Sequence, residues 1–161
     1  MRTPYFNGGV RNRVFRQEAM SWIGTPFRHL CHTKQTGVDC VGFPLIVFRV
    51  AGLIPFEYYL PHYPLDGGYH GAVSALDAEL VRLGCFDRIW QRDCFACPVV
   101  LPTVLEGDLF TMQLGRWPYH CALSIGGLSF LHAHPTSGVI QSDLRDATYL
   151  KRIRAVWRPV V

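Results

Sequence analysis

Val38-Asp39-Cys40-Val41-Gly42-Phe43, with the apolar run from Pro44 to Gly52 behind it, decides how this chain is read. The stretch reads as a loop that turns into a helix, with a cysteine at the turn. Asp39 is a good N-cap residue, because its carboxylate can accept from the unpaired N–H groups of a first helical turn. Cys40 then stands where the partial positive charge of a helix N-terminus favours thiolate over thiol. Val41, Leu45 and Phe48 fall on one face and Phe43, Val47 and Val50 on another, so the helix is apolar nearly all round and is expected to be buried. A cysteine at the exposed tip of such a helix suits a nucleophile; a core thiol is the alternative on this stretch alone. Pro44 conflicts with a helix that begins at Asp39, since its ring would crowd the Cys40 carbonyl. Either the first turn is irregular, or the helix starts later and Cys40 lies in the loop before it.

Upstream, residues 1–10 read as a flexible or partner-binding arm. Asn12 to Ile23 is helical in pattern and is stopped by Gly24-Thr25-Pro26. Phe27 to Gly37 reads as a loop. Downstream, residues 54–71 form a long irregular connection, and Ala72 to Leu83 a second amphipathic helix. Cys85 to Trp90 reads as a strand. From residue 99 the pattern becomes β: strands are expected over Asp108–Met112, His120–Ile125, Phe130–His134, Val139-Ile140 and Arg154–Val160, with a short helix within 143–150. Along His120–Ile125, Cys121, Leu123 and Ile125 face one way and His120, Ala122 and Ser124 the other. Helices first, then a meander of antiparallel strands, predict an α+β domain occupying the whole chain, 1–161.

The chain has 161 residues, 49% of them hydrophobic and 17% charged, so it can build one well-supplied core. A net charge of +4 with no dense Lys/Arg run argues against nucleic-acid specificity. Lys151-Arg152-Ile153-Arg154 comes nearest and reads as the cationic end of a short helix. No apolar run reaches membrane-spanning length, and Met1 to Val10 has no signal-peptide core. Cytoplasmic synthesis is therefore expected, with the six cysteines reduced rather than arranged as a disulfide framework.

His120 and His132 lie on successive strands joined by a Gly126-Gly127 turn, so they can become neighbours on one face. The small Ala122 and Ser124 beside His120 leave room for a helix tip to approach. A cysteine, a histidine and a third polar group are the parts of a nucleophilic thiol site. Two metal-binding patterns compete. Cys94-Phe95-Ala96-Cys97 could join Cys85 and Cys31, and His120 could join His132 and His134. A lone CxxC is weak evidence, and neither a metal nor a cofactor is expected.

Together these segments resemble the NlpC-type cell-wall cysteine peptidases, a papain-like family. Trp22-Ile23-Gly24-Thr25-Pro26-Phe27-Arg28 is similar to the family's W-x-G-T-P-Y-R, and Gly37-Val38-Asp39-Cys40-Val41-Gly42 to G-x-D-C-S-G. Gly107-Asp108-Leu109 matches G-D-L, His120-Cys121-Ala122-Leu123 resembles H-V-G-I, and Phe130-Leu131-His132-Ala133 resembles F-I-H-A. The resemblance spans residues 15–158. Pro26-Phe27-Arg28-His29 and the basic, aromatic end Arg154–Pro159 look most like the single-domain branch of phage tails and gene transfer agents.

The resemblance implies a papain-like fold, with the nucleophile helix packed on a central antiparallel sheet. It implies Cys40 as nucleophile, His120 as base and His132 as third member of the triad. Phe27, Arg28, His29, Asp39, Ser124 and His134 are then the substrate-binding or cleft residues. The implied substrate is the peptidoglycan stem peptide, cut at D-glutamyl–diamino acid linkages. The implied partners are tail-hub or tail-tip proteins of a virion or tail-like particle acting in the periplasm and cell wall. Two residues depart from the pattern. Phe27 replaces a tyrosine whose hydroxyl lies near the nucleophile, leaving His29, Cys31 and His32 as candidate donors, and Val41 replaces a small serine. A structural tail-tip protein with a vestigial site is the alternative.

Overall fold

The computed structural model describes residues 2–63, 73–94, 96–114 and 117–161. Helices α1 (Val10–Ser21), α2 (Gly42–Val50) and α3 (Val73–Leu83) precede most of the strands. Between α1 and α2 lies a two-stranded ribbon, β1 (His32–Thr33) and β2 (Gly37–Val38). The ribbon replaces part of the loop expected over 27–37; two-residue strands are too short to carry a period-2 signal. The strands β3 (Phe86–Gln91), β4 (Leu109–Leu114), β5 (Trp117–Ser124), β6 (Ser129–His134), β7 (Gly138–Asp143) and β8 (Ile153–Pro159) follow, with α4 (Ala147–Leu150) before β8. They form one antiparallel sheet in the order β3-β8-β4-β5-β6-β7. The α+β reading and its meander are what the structure has. Residues 54–63 carry no helix or strand, as expected, and the rest of that connection lies outside the described residues.

The alternation read along β5 divides the interior in two. Cys121, Leu123 and Ile125 join Phe15 and Ala19 of α1 and Phe43, Val47 and Phe48 of α2 in the larger core. Ala122 joins Phe110, Met112, Phe130, Ile153 and Val156 on the other face, under Tyr149 and Leu150 of α4. The helix tip therefore does not approach the Ala122 face, as its small side chains suggested. Phe110 and Phe130, edge to face at 5.9 Å, already cover that side.

Residues 2–6 are not a loose arm. Pro4 bridges Val160, the Tyr5 N–H donates to Pro159 O at 2.9 Å, and Phe6 enters the larger core beside Phe15. Gly107 is needed for this. Its φ is +88°, and a Cβ there would stand 2.1 Å from the Phe6 ring. The next residue, Asp108, is buried and takes Arg158 on both oxygens at 2.9 and 2.7 Å, which locks β4 to β8.

One irregularity in the sheet positions the site. Strands β5 and β6 pair only at Leu123↔Leu131 and Ser124↔Phe130, whereas β6 and β7 pair from Ser129↔Asp143 through His134↔Gly138. The His120–Ala122 end of β5 has thus peeled away from β6 while staying paired with β4. The Ser124 N–H points to Asp108 O, just before β4, at 2.8 Å, so alternation turns the Cys121 N–H toward the gap.

Candidate active site

The turn that carries Cys40 is built around Asp39. Helix α2 begins at Gly42, and Cys40 lies in the turn before it. Of the two readings of Pro44, the later helix start is the one adopted. Pro44 then falls in the first turn, where no intrahelical N–H bond is lost. The Phe43 N–H still reaches Asp39 O at 3.0 Å, and the Gly42 N–H donates to Asp39 Oδ1 at 2.7 Å, so Asp39 caps the turn as expected. Gly42 has a second reason to be glycine: a Cβ would stand 2.5 Å from the His32 ring.

Asp39 gathers more than its own turn. Oδ2 accepts from the Leu30 N–H at 2.8 Å, and His29 Nδ1 stands 3.3 Å from the same oxygen. The Tyr63 hydroxyl reaches Oδ1 at 2.9 Å and Oδ2 at 2.8 Å. Asp39 itself is buried. Three hydrogen-bond donors on a buried carboxylate, with the His29 ring beside them, offset the loss of its hydration.

The backbone N–H groups of Cys121, Cys40 and Val41 lie close to the Cys40 sulfur and favour its thiolate. The sulfur therefore meets β5 at the gap in the sheet, at the residue next to His120. Burial and then the Asp39 carboxylate push the thiol up to about 12, and those three N–H groups only partly oppose them. The expectation that a helix N-terminus would favour thiolate does not hold. Cys40 precedes the helix and stands beside a carboxylate; its neighbours Val41 and Cys121, with Leu45 and Leu80, line an apolar cavity of about 40 Å³.

On the other side of the gap the two histidines meet. His120 Nε2 lies 2.7 Å from His132 Nδ1, and His132 Nε2 lies 3.0 Å from Ser142 Oγ on β7. Extending the β5–β6 register puts His132 opposite Ala122, so the pair is diagonal rather than directly opposed. Both rings are buried. His132 is boxed edge-on by Tyr149 at 5.3 Å and His134 at 5.7 Å. Burial, then His132 and His134, hold His120 well below the ordinary imidazole range. Burial, then His134, lowers His132 to about 4. A single direction of donation satisfies the chain with a basic nitrogen at its end. His132 Nε2–H donates to Ser142, His120 Nε2–H donates to His132 Nδ1, and His120 Nδ1 keeps its lone pair.

The other expected cleft residues divide. Phe27 bridges Val38, two residues before Cys40, and packs on the larger core. The Arg28 stem lies over Gly37 and would clash with a Cβ there at 2.6 Å. Ser124 is turned into the β5–β6 turn, where Oγ accepts from the Gly126 N–H at 3.2 Å, away from the gap. His134 Nδ1 is bonded within its own turn to Thr136 Oγ1 at 3.1 Å. Cys94 and Cys97 contact each other on the exposed turn after β3, and no group of three or more metal-ligating side chains stands together among the described residues. Sequence reasoning missed Ser142 and Tyr63. Ser142 becomes visible only once the β6–β7 register is known, and Tyr63 lies in an irregular segment with no pattern to place it.

The NlpC/P60 family model matches residues 24–158. The murein DD-endopeptidase MepS/murein LD-carboxypeptidase of Escherichia coli K12 is 26% identical over 146 residues, covering 91% of this chain and 61% of that protein. The chain thus spans about three-fifths of the length of the curated relatives it matches. Among solved structures, a lipoprotein-like NLP/P60 family protein of Staphylococcus aureus Mu50 shares the fold with a TM-score of 0.61 at 19% identity, over 99% of this chain and 44% of that one. An NlpC/P60 family protein of Bacillus cereus ATCC 10987 does so at 0.56 and 15%, over 93% and 40%. The NlpC/p60 domain of the peptidoglycan hydrolase SagA does so at 0.50 and 18%, over 90% and 96%. Matched across most of its length, with its helices and its antiparallel sheet in the same arrangement, the chain belongs to the NlpC/P60 family.

Proposed function

We propose that this protein is a cysteine peptidase that cuts peptidoglycan stem peptides, with Cys40 as nucleophile, His120 as base and His132 holding the ring of His120. The observation that carries the reading is the buried Ser142–His132–His120 chain, directed so that His120 Nδ1 keeps its lone pair beside the strand position that meets the Cys40 sulfur. Burial favours the neutral thiol and the neutral imidazole, so the pair rests uncharged and the proton moves as the bond forms. The Cys40 proton passes to His120 Nδ1 while sulfur bonds to the peptide carbonyl carbon and the C=O pair moves to oxygen. The Cys40 backbone N–H helps to hold that oxyanion. The C–N bond then breaks, and the leaving nitrogen takes the proton from Nδ1. Water attacks the thioester, gives a proton to Nδ1, and releases the acid and the thiol.

The bond is read as the D-glutamyl–diamino acid linkage. The setting is read as a phage tail or tail-like particle that opens the wall for DNA delivery, with hub or tip proteins as partners. The support is the Pro26-Phe27-Arg28-His29 sequence and the Arg154–Pro159 end. The Escherichia coli relative carries the names DD-endopeptidase and LD-carboxypeptidase, so the bond itself is the part to measure. Among the described residues no helix is long and apolar enough to cross a membrane.

The test is digestion of purified peptidoglycan by the protein and by Cys40→Ser, with products identified by mass. The expected products carry a new diamino-acid N-terminus, and Cys40→Ser, still folded, yields none. Cross-link opening instead would move the bond and keep the class. No cleavage by the wild type would favour a structural tail component, the reading that Phe27 in place of tyrosine supports.

A further inference from the structure

Asp39 is the acid next to the nucleophile, and among the described residues Tyr63 is the one whose side-chain hydroxyl bonds to it. The segment that brings Tyr63 there is held at a second point. The Tyr58 hydroxyl donates to Glu79 of α3, its carbonyl accepts from Arg49 of α2, and Tyr58 and Leu60 pack on the larger core. The phenol is also set edge-on to the His29 ring at 5.4 Å, so its approach to the carboxylate is defined from two sides. A carboxylate oxygen that accepts a strong hydrogen bond projects less of its charge onto other neighbours.

We propose that Tyr63 is a positioning residue for the nucleophile: by donating to Asp39 it keeps that carboxylate turned onto the Gly42 N–H and weakens its field at Cys40. The inference deepens the peptidase reading and rests on it for its effect on turnover. The effect on the thiol is measurable without any substrate. Among the described residues, the titratable groups facing this turn are Asp39, His29, His32 and Tyr63 from the loops. From β5 they are His120 and Cys121, with His132 and His134 behind His120 and Asp77 of α3 bearing on Cys121. Of the acids, Asp39 is the one that acts on Cys40 directly. The sign follows. Without the Tyr63 hydroxyl the Asp39 charge is felt more strongly, thiolate is less favoured, and Cys40 reacts more slowly at a given pH. Mere loosening of the loop would expose the thiol and make it react faster.

The experiment is the rate of iodoacetamide alkylation at Cys40, resolved from the other cysteines by mass spectrometry, at several pH values below the thiol's midpoint. Wild type, Tyr63→Phe, Asp39→Asn and the double variant are compared. Tyr63→Phe is expected to react about threefold to tenfold more slowly than wild type, and Asp39→Asn faster. The double variant is expected to match Asp39→Asn, because the hydroxyl acts through the charge that has been removed. In the cleavage assay kcat should fall in Tyr63→Phe with KM unchanged. Alkylation of Tyr63→Phe at or above the wild-type rate overturns the proposal. So does a further slowing in the double variant of the size seen in Tyr63→Phe alone. Should Tyr63→Phe fail to fold, 3-fluorotyrosine placed at position 63, whose hydroxyl donates more strongly, decides: faster alkylation of Cys40 than in wild type supports the proposal, and an equal or slower rate overturns it. If the alkylation pattern holds while wild type cuts no stem peptide, the peptidase reading fails and the Tyr63 assignment stands.

Discussion

His120 and His132 stand on adjacent strands of one sheet, and the register of that sheet places them. Asp39 and Cys40 stand in a turn, and two loop stretches, at 29–30 and at Tyr63, converge to place that turn. The first arrangement passes hydrogen bonds along a line, from His120 to His132 to Ser142, within 2.7 and 3.0 Å. The second gathers them at a point, with the Leu30 and Gly42 N–H groups and the Tyr63 hydroxyl on one carboxylate and the His29 ring beside it. A linear chain fixes which nitrogen carries the proton. A convergent knot fixes where the turn sits and how much charge the sulfur feels. The two sides come together where β5 leaves β6: the Cys40 sulfur lies at Cys121, the residue next to His120, and the His120 ring turns to His132 on the other face of the sheet.

The comparison breaks hardest at His120. His120→Ala is expected to lower kcat by about 10²–10⁴, the range for loss of a general base. His132→Ala is expected to cost less, because water can satisfy Nε2 of His120 in part. Equal losses would mean that His132 does more than orient the base. The measurement is turnover of a stem-peptide fragment by both variants, with circular dichroism as the check on folding.

Acid acts on the line of histidines. In the unfolded chain an imidazole titrates near 6.5, whereas folded His132 is lowered to about 4. Between those values the unfolded state binds more protons. The stability contribution is therefore complete above the unfolded value and is lost as pH falls through the window toward 4. Going from pH 7 to pH 4.5 should cost about 2–3 kcal/mol at His132 alone. His132→Gln should flatten that loss, as read by denaturant midpoints at the two pH values. An unchanged pH slope in the variant would show that the ring is not buried as a neutral group.

Much of the line was legible in the sequence. Alternation from His120 to Ile125 separated the two faces of β5 correctly, and the turn at Gly126-Gly127 brought His132 within reach of His120. Period-2 patterns survive because every second residue meets the same core. Less of the knot was legible. Asp39 as a cap was readable from its place before the helix, yet that reading set Cys40 in the favourable field of the helix and missed the opposing effects of burial and of Asp39 itself. The motif pointed to position 27 for a phenol. The phenol beside the turn comes instead from Tyr63, through a segment with neither helical nor strand periodicity. Nor does the sequence mark which face α2 covers. Ala122 and Ser124 are small either because something packs close or because the space is filled from elsewhere, and here Phe110 and Phe130 fill it.

Of the six cysteines, Cys40 is the one whose Sγ is proposed to attack the substrate. The direct measurement is mass spectrometry of the protein after incubation with a stem-peptide analogue that carries an electrophilic carbonyl warhead at the scissile position. The account predicts one adduct, on Cys40, with loss of hydrolysis in proportion to labelling and no adduct in His120→Ala on the same timescale. An adduct on another cysteine that abolishes hydrolysis, or full hydrolysis by protein labelled completely at Cys40, would contradict it.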